Sequence, residues 1–123
     1  MKAIIVDDSR AMRTILRGAL KEQGFDTVEA NDGQHALAQL KEAGKVQLAL
    51  VDWNMPVMNG YELVCKLRSQ KEYDGMAIMM VTTESESSQM QRALGAGANE
   101  YVMKPFTPDM LREKLQLLGL GRG

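Results

Sequence analysis

Short apolar runs alternate with segments of helical periodicity five times along this chain, and that alternation constrains its fold more than any other feature. Four of the runs are continuously apolar, as is typical of parallel strands covered on both faces. The remaining run alternates apolar and polar residues, which suits a strand at a sheet edge. In chain order the predicted strands are residues 3–6, 27–30 (the alternating run), 48–51, 77–81 and 101–103.

Five strand–helix units with short connections predict an α/β fold, in which five helices cover both faces of one five-stranded parallel sheet. The flavodoxin-like strand order 2-1-3-4-5 places the alternating second strand at an edge, so we expect that order. Apolar residues at helical spacing define the buried face of each helix. The expected faces are Met12, Ile15, Leu16, Ala19 and Leu20; Ala36, Leu37, Leu40 and Ala43; Leu63, Val64 and Leu67; Met90, Ala93 and Leu94; and Leu111, Leu115 and Leu118.

Several residues mark the ends of these helices. Gly24 and Gly44 follow the first two apolar faces and are expected to end those helices. An Asp-Gly pair at residues 74–75 predicts a turn after the third helix. Thr107 followed by Pro108 has the sequence of an N-cap and a first helical residue, so it predicts the start of the fifth helix.

Length and composition favour one domain over residues 1–123, with no output domain of its own. A chain of 123 residues is close to the commonest domain size. The net charge of -1 gives no general attraction to nucleic acid, and no apolar run reaches the about 18 residues of a membrane span. The first strand begins too early for a signal peptide, and the residues after Gly119 are interpreted as a frayed tail. We therefore expect a monomer in the cytoplasm.

Cys65 is the only cysteine, so an internal disulfide is impossible and a reducing compartment is the simplest one. It lies two residues from both Leu63 and Leu67 on the third predicted helix. Because free cysteines are usually buried, we expect Cys65 to fill the core rather than to act as a nucleophile.

Distinctive polar residues follow four of the predicted strands. Asp7 and Asp8 follow the first strand, Asp52 the third, Thr82 the fourth and Lys104 the fifth. The carboxyl ends of parallel strands share one edge, and ligands bind there where the strand order reverses. With the order 2-1-3-4-5 that point lies between the first and third strands. We therefore expect the three carboxylates to converge.

Three adjacent carboxylates raise one another's pKa unless a cation joins them. Lys104 supplies one positive charge, and a divalent cation with oxygen ligands would supply the rest. Mg²⁺ fits best, because it combines carboxylates with waters and phosphate oxygens. A carboxylate such as Asp52 can also attack phosphorus, and the Thr82 hydroxyl can donate to the phosphoryl oxygens. An isolated Asp pair could instead simply cap the first helix, but its position beside Asp52 and Lys104 favours the metal site.

The sequence resembles the receiver domain of bacterial response regulators over essentially its whole length, and most closely the stand-alone receivers of chemotaxis. Four separated motifs carry the resemblance, and their combination is highly specific. They are VDDS at residues 6–9, DWNMP at 52–56 with Asn-Gly at 59–60, VT at 81–82, and KPF at 104–106.

This resemblance implies that Asp52 accepts a phosphoryl group from a phosphohistidine of a sensor kinase. It also implies that Asp8, Asp52 and the backbone carbonyl of Asn54 hold Mg²⁺, with Asp7 assisting through water. By the same likeness Lys104 contacts the phosphate, and its peptide bond to the following proline is expected to be cis.

The resemblance further implies a switch in which Tyr101 turns inward when Thr82 moves toward the phosphate. Asn54 and Glu84 match the positions that flank the path of the hydrolytic water and set the rate of dephosphorylation. Residues 84–88 read ESESS, whereas chemotaxis receivers are more basic there, on the face that meets the flagellar motor. This departure concerns the output partner and leaves the phosphorylation chemistry unaffected.

The implied partners are the sensor histidine kinase, a downstream protein such as the flagellar motor switch, and a phosphatase. The chain would be no enzyme in the ordinary sense, since it would catalyse only its own phosphorylation and dephosphorylation. A phosphorelay intermediate or a cell-cycle receiver, without a link to motility, is the alternative within the family.

Two other classes share part of this pattern. A hydrolase of the haloacid dehalogenase class also phosphorylates an aspartate, but it needs a second aspartate where this chain has Asn54. A flavodoxin-type electron carrier shares the fold, but Asp7 and Asp8 would repel a bare phosphate group in the first loop. Trp53, beside the nucleophile, is expected to be partly exposed and to report on the site.

Overall fold

The structure, a computed structural model, describes residues 1–83 and 88–120. Its five strands pair in parallel in the order β2-β1-β3-β4-β5, which confirms the predicted sheet. Observed strands match the predicted runs to within two residues at each end. The strands are β1 (Lys2–Val6), β2 (Asp26–Ala30), β3 (Leu48–Asp52), β4 (Ala77–Thr83) and β5 (Glu100–Lys104).

Helices cover both faces of the sheet, as predicted. Residues of α1 and α5 pack on one face and those of α2, α3 and α4 on the other, in two separate apolar clusters. Neighbouring strand residues alternate between the clusters, so Ile5 faces α1 and α5 whereas Ile4 faces the other three helices. The helices are α1 (Arg10–Glu22), α2 (Gly33–Ala43), α3 (Gly60–Arg68), α4 (Met90–Ala96) and α5 (Pro108–Leu117).

Side-chain caps fix where the helices begin on the side of the sheet that carries the polar residues. The Ser9 hydroxyl accepts from the Met12 amide at the start of α1. Asn59 and Glu62 form a reciprocal capping box at the start of α3. Thr107 caps α5 with a proline at the first turn, as predicted. These caps join each helix to the strand before it with a loop of defined geometry.

Two predicted core positions are wrong. Ile15 is 60% exposed, because the buried stripe of α1 runs through Leu16 and Leu20, and a step of one residue turns a side chain by about 100°. Cys65 is exposed as well. It lies two residues from Leu63 and from Leu67, and residues two apart do not share a helix face.

One short element was not predicted from the sequence. A 3₁₀ helix at Lys71–Tyr73 follows α3 and buries the Tyr73 ring, and the predicted turn at residues 74–75 comes after it. The acidic segment before α4, including Glu84, and the predicted tail at 121–123 lie outside the described residues. None of the helices in the described part of the chain has the length and apolar character that crossing a membrane requires.

Candidate functional site

The structure brings the polar residues at the strand ends together at one edge of the sheet. Asp7 follows β1 directly, and Asp52 is the last residue of β3. One carboxylate oxygen from each of Asp7, Asp8 and Asp52 lies within 4.8 Å of the others. The Lys104 ammonium, at the end of β5, lies 3.2 Å from Asp52 Oδ1 and 3.8 Å from Asp7 Oδ2. Within residues 1–83 and 88–120, the three carboxylates therefore face one nearby lysine, Lys104.

The carboxylates differ in their contact with solvent. Asp7 is 1% exposed and Asp52 is 7% exposed, whereas Asp8 is on the surface. Asp7 Oδ1 accepts from the Ser9 amide at 2.8 Å. Its other oxygen, Oδ2, is buried and has no hydrogen-bond partner among the described residues. At 3.8 Å the Lys104 ammonium attracts that oxygen but is beyond hydrogen-bond distance.

Burial and mutual repulsion shift the acidity of the cluster. The pKa of Asp52 is raised to about 6, because burial and the Asp7 charge both raise it and Lys104 only partly offsets them. Burial also raises the pKa of Asp7, against the lowering effects of the Ser9 amide and Lys104. The ionised cluster is thus short of positive charge, which is the situation that a bound cation relieves.

The donor set fits Mg²⁺. Asp7 Oδ2 is a buried acceptor that receives no hydrogen bond from residues 1–83 or 88–120, Asp52 adds a second carboxylate, and Asp8 approaches from the solvent side. Hard oxygen donors with access to water are what Mg²⁺ prefers. Asn54 lies exposed on the loop beyond Asp52, where its backbone carbonyl is the ligand that the family resemblance implies.

The loop between β3 and α3 holds the end of β3 in a close fit. The Trp53 amide donates to the Val81 carbonyl at 3.1 Å, and the Gly60 amide donates to the Trp53 carbonyl at 2.9 Å. A Cβ atom at Gly60 would lie 2.6 Å from the Asp52 carbonyl oxygen, so only glycine allows this approach. Trp53 is half-buried, as expected, and its ring lies 6.1 Å from that of Tyr61.

The other predicted site residues lie around this edge. Thr82 is fully buried on β4, one residue before its end, and its hydroxyl lies 3.3 Å from the Thr83 carbonyl oxygen. Tyr101 is half-buried on β5, and the Lys114 ammonium lies 5.0 Å from the centre of its ring. The peptide bond between Lys104 and its proline is cis, as predicted.

Sequence reasoning missed two residues beside the cluster, Arg13 and Glu29. The Arg13 guanidinium donates to the Asp7 carbonyl oxygen at 2.6 Å and to Glu29 Oε1 at 3.2 Å. A signal was present in the sequence, since Glu29 is a charged residue of the alternating strand. Nothing in the helical pattern, however, directs Arg13 toward a backbone carbonyl.

Comparison with known proteins agrees with the fold. The family model for the response regulator receiver domain matches residues 3–116. The chain has a doubly wound sheet with carboxylates and an opposed lysine at its switch point, and the family model matches nearly all of its length. It therefore belongs to the response regulator receiver family.

Relatives of similar length include the Chemotaxis protein CheY homolog of Campylobacter jejuni, which is 48% identical over all of this chain and 96% of its own. Chemotaxis protein CheY1 of Helicobacter pylori is 42% identical over 96% of each chain. Among solved structures, chemotaxis protein CheY4 of Vibrio cholerae has a TM-score of 0.86 and 35% identity, covering 94% of this chain and 96% of that one.

Proposed function

We propose that the chain is a stand-alone response regulator whose Asp52 accepts a phosphoryl group from a phosphohistidine of a sensor kinase. The supporting observation is the buried Asp52 carboxylate, which contacts Lys104 at 3.2 Å. Beside it lies an Asp7 oxygen to which no group in the described part of the chain donates a hydrogen bond. This arrangement combines an ionisable nucleophile, a fixed positive charge and ligands for a metal. The family match and full-length chemotaxis relatives support the same reading.

In the proposed reaction an Asp52 carboxylate oxygen attacks phosphorus, and the bond from phosphorus to the histidine nitrogen breaks with its electron pair returning to the imidazole. With a pKa of about 6, Asp52 is largely ionised near neutral pH and is ready to attack. Lys104 loses part of its Asp52 contact and can pair with a phosphoryl oxygen instead. A magnesium ion held by Asp7, Asp8 and Asp52 would neutralise the remaining phosphoryl charge. Hydrolysis of the acyl phosphate would restore Asp52 and release inorganic phosphate.

We further propose that the phosphorylated form binds a downstream protein in chemotaxis, as the names of the relatives suggest, with the flagellar motor switch as the candidate. A groove of about 290 Å³ between β5 and α5 supports an output surface, since it contains the Tyr101 side chain. Its lining residues are Tyr101, Val102, Met103, Met110, Glu113 and Lys114. The proposal places the protein in the cytoplasm, beside the kinase and motor. A phosphorelay intermediate is the alternative, favoured by the acidic sequence of residues 84–88.

The chemistry is tested by phosphorylation in vitro. Incubation with acetyl phosphate and Mg²⁺ should add one phosphoryl group, measured by intact mass in the cold. Asp52→Asn should abolish the addition, and so should chelation of the metal, whereas Asp109→Asn, on the exposed surface of α5, should not. Labelling that persists in Asp52→Asn would sink the assignment.

Coupling to output is tested with two further variants. Thr82→Ala and Tyr101→Ala should still take up phosphate, but their affinity for a flagellar switch protein should respond weakly to phosphorylation. The physical reason is that phosphate shifts the protein only if it binds one arrangement better than the other. If both variants keep the wild-type difference in affinity, the switch runs through other residues.

Dephosphorylation provides a separate measurement. Asn54→Met and Glu84→Met replace small or acidic polar groups along the proposed water path with bulky, uncharged ones. Each should change the half-life of the phosphoaspartate while leaving magnesium affinity nearly unaltered. An unchanged half-life in both variants would show that the water path has been misplaced.

A further inference from the structure

We propose that Arg13 is a positioning residue of the metal site, because it fixes the peptide group that joins the two acidic residues Asp7 and Asp8. The inference rests on the magnesium site proposed above. It adds a role for α1 and for the edge strand β2, neither of which contributes a metal ligand.

The contact that carries the proposal is the bond from Arg13 Nη1 to the Asp7 carbonyl oxygen, at 2.6 Å. That carbonyl belongs to the planar peptide whose other half is the Asp8 amide and Cα. Fixing its direction therefore fixes both how Asp7 leaves β1 and how Asp8 enters the loop. Asp8 is exposed, so little packing is available to hold it otherwise.

Glu29 on β2 holds the guanidinium in place. Its Oε1 atom accepts from Arg13 Nε at 3.2 Å, and its Oε2 atom accepts from Arg17 Nη1 at 2.9 Å. The Arg13 side chain is only 16% exposed, whereas that of Arg17 is 50% exposed. The rigid fork of a guanidinium can donate in two directions at once, which the single ammonium of lysine cannot do in the same geometry.

By electrostatics alone, the positive charge of Arg13 should weaken metal binding. A guanidinium near the carboxylates repels a divalent ion, although its pairing with Glu29 offsets part of that repulsion. Any benefit of Arg13 to metal binding must therefore come from geometry. A substitution that keeps the charge separates the two effects.

The test is a magnesium titration of the metal-free protein, followed by the fluorescence of Trp53, the only tryptophan. Arg13→Lys keeps the charge and loses the fork, so magnesium affinity should fall by roughly tenfold, as for other residues that orient metal ligands. Arg17→Lys is the matched control. It lies one turn further along α1 and shares Glu29, but among the described residues it pairs with Glu29 and not with the Asp7 carbonyl, so affinity should stay within about twofold of wild type.

Glu29→Gln is a second variant that keeps Arg13 and only weakens its anchor. It should lower magnesium affinity by less than Arg13→Lys, and the double variant should bind no worse than Arg13→Lys alone, because the two residues act through one contact. Urea unfolding of each variant separates a general loss of stability from a loss of metal affinity.

Wild-type affinity in Arg13→Lys would overturn the positioning role and leave the proposed function intact. Equal losses in the Arg13 and Arg17 variants would also overturn it, since the effect would then belong to the whole ion-pair network. If Mg²⁺ changes neither the Trp53 fluorescence nor the stability of the wild-type protein, the metal site is excluded. That result would contradict both proposals.

Discussion

At the scale of single residues, the buried Asp52 carboxylate destabilises the folded protein when it is ionised. Its pKa of about 6 in the native protein exceeds the ordinary value of 3.8, because burial and the Asp7 charge both disfavour the ionised form. The native state therefore binds the Asp52 proton more tightly than the unfolded chain does. Between about pH 4 and pH 6 this difference lowers stability as pH rises, and above that window the penalty is fully present.

We expect Asp52→Asn to stabilise the metal-free protein near neutral pH by roughly 2 kcal/mol, because the buried charge is removed while Lys104 loses one partner. The gain should shrink as pH falls through 6 and should vanish by about pH 4. Urea unfolding across that pH range in the presence of a chelator measures it. A gain that does not vary with pH would show that repulsion is not its source.

Val57 is a second residue in an unfavourable state, here because of its backbone conformation. Its φ of 69° lies in the left-handed region, which branched side chains rarely adopt, and the side chain is 71% exposed. Since no burial compensates, the loop after Asp52 carries backbone strain at this position.

Val57→Asn should raise the free energy of unfolding by about 1 kcal/mol, because asparagine tolerates the left-handed conformation better. Val57→Ala keeps a Cβ atom and is the control, with a smaller expected gain. Urea denaturation measures both variants. Asparagine and alanine variants of equal stability would mean that side-chain exposure, not backbone conformation, decides the effect.

At the scale of elements, Arg68 ties the end of α3 to the starts of two strands. Its guanidinium donates to the carbonyl oxygens of Tyr73, Gly97 and Met76, at 2.7, 2.9 and 2.8 Å. It also donates to the Asn99 side chain at 2.8 Å. Met76 and Asn99 immediately precede β4 and β5. These contacts therefore lie at the amino ends of the strands, whereas the acidic cluster lies at the carboxyl ends.

We expect Arg68→Met to lower the free energy of unfolding by roughly 3 kcal/mol, because several carbonyls lose a charged donor in a partly buried setting. Arg112→Met is the matched control. In the described part of the chain it forms an exposed ion pair with Asp109 at 3.0 Å, so its removal should change stability by less than about 1 kcal/mol. Thermal or urea unfolding measures both, and similar losses would contradict the anchoring role.

At the scale of the whole molecule, the amino ends and the carboxyl ends of the strands differ in how they are stabilised. The amino ends of β4 and β5 are fixed by hydrogen bonds from Arg68, whereas the carboxyl ends of β1 and β3 carry carboxylates that repel one another. Metal binding at the carboxyl ends should therefore stabilise the entire fold, because the unfolded chain cannot assemble the site.

Magnesium at about a hundred times its dissociation constant should add roughly 2.7 kcal/mol to the free energy of unfolding, and a chelator should reverse the gain. Asp8→Asn should reduce the shift strongly. Asp26→Asn, an exposed residue at the start of β2, should retain it and is the control. The measurement is the urea midpoint with and without Mg²⁺, and equal shifts in both variants would exclude the acidic cluster as the binding site.

The sequence by itself determined the sheet, its strand order and the shared edge of Asp7, Asp52 and Lys104. The physical reason is that burial between helices leaves continuous apolar runs, and parallel connections bring the carboxyl ends of all strands to one edge. The grouping of these residues at one edge was therefore predictable, although the distances between them were not.

Only the tertiary structure decided which face of α1 is buried, which leaves Ile15 in solvent. The exposure of Cys65, by contrast, follows from helix geometry, since it lies two residues from both Leu63 and Leu67. The tertiary structure alone revealed the bonds from Arg13 to the Asp7 carbonyl and from Arg68 to the strand starts. A charged side chain that reaches a backbone carbonyl far away leaves no periodic trace in the sequence, because every residue has that carbonyl. Such contacts exist only once packing has brought the segments together.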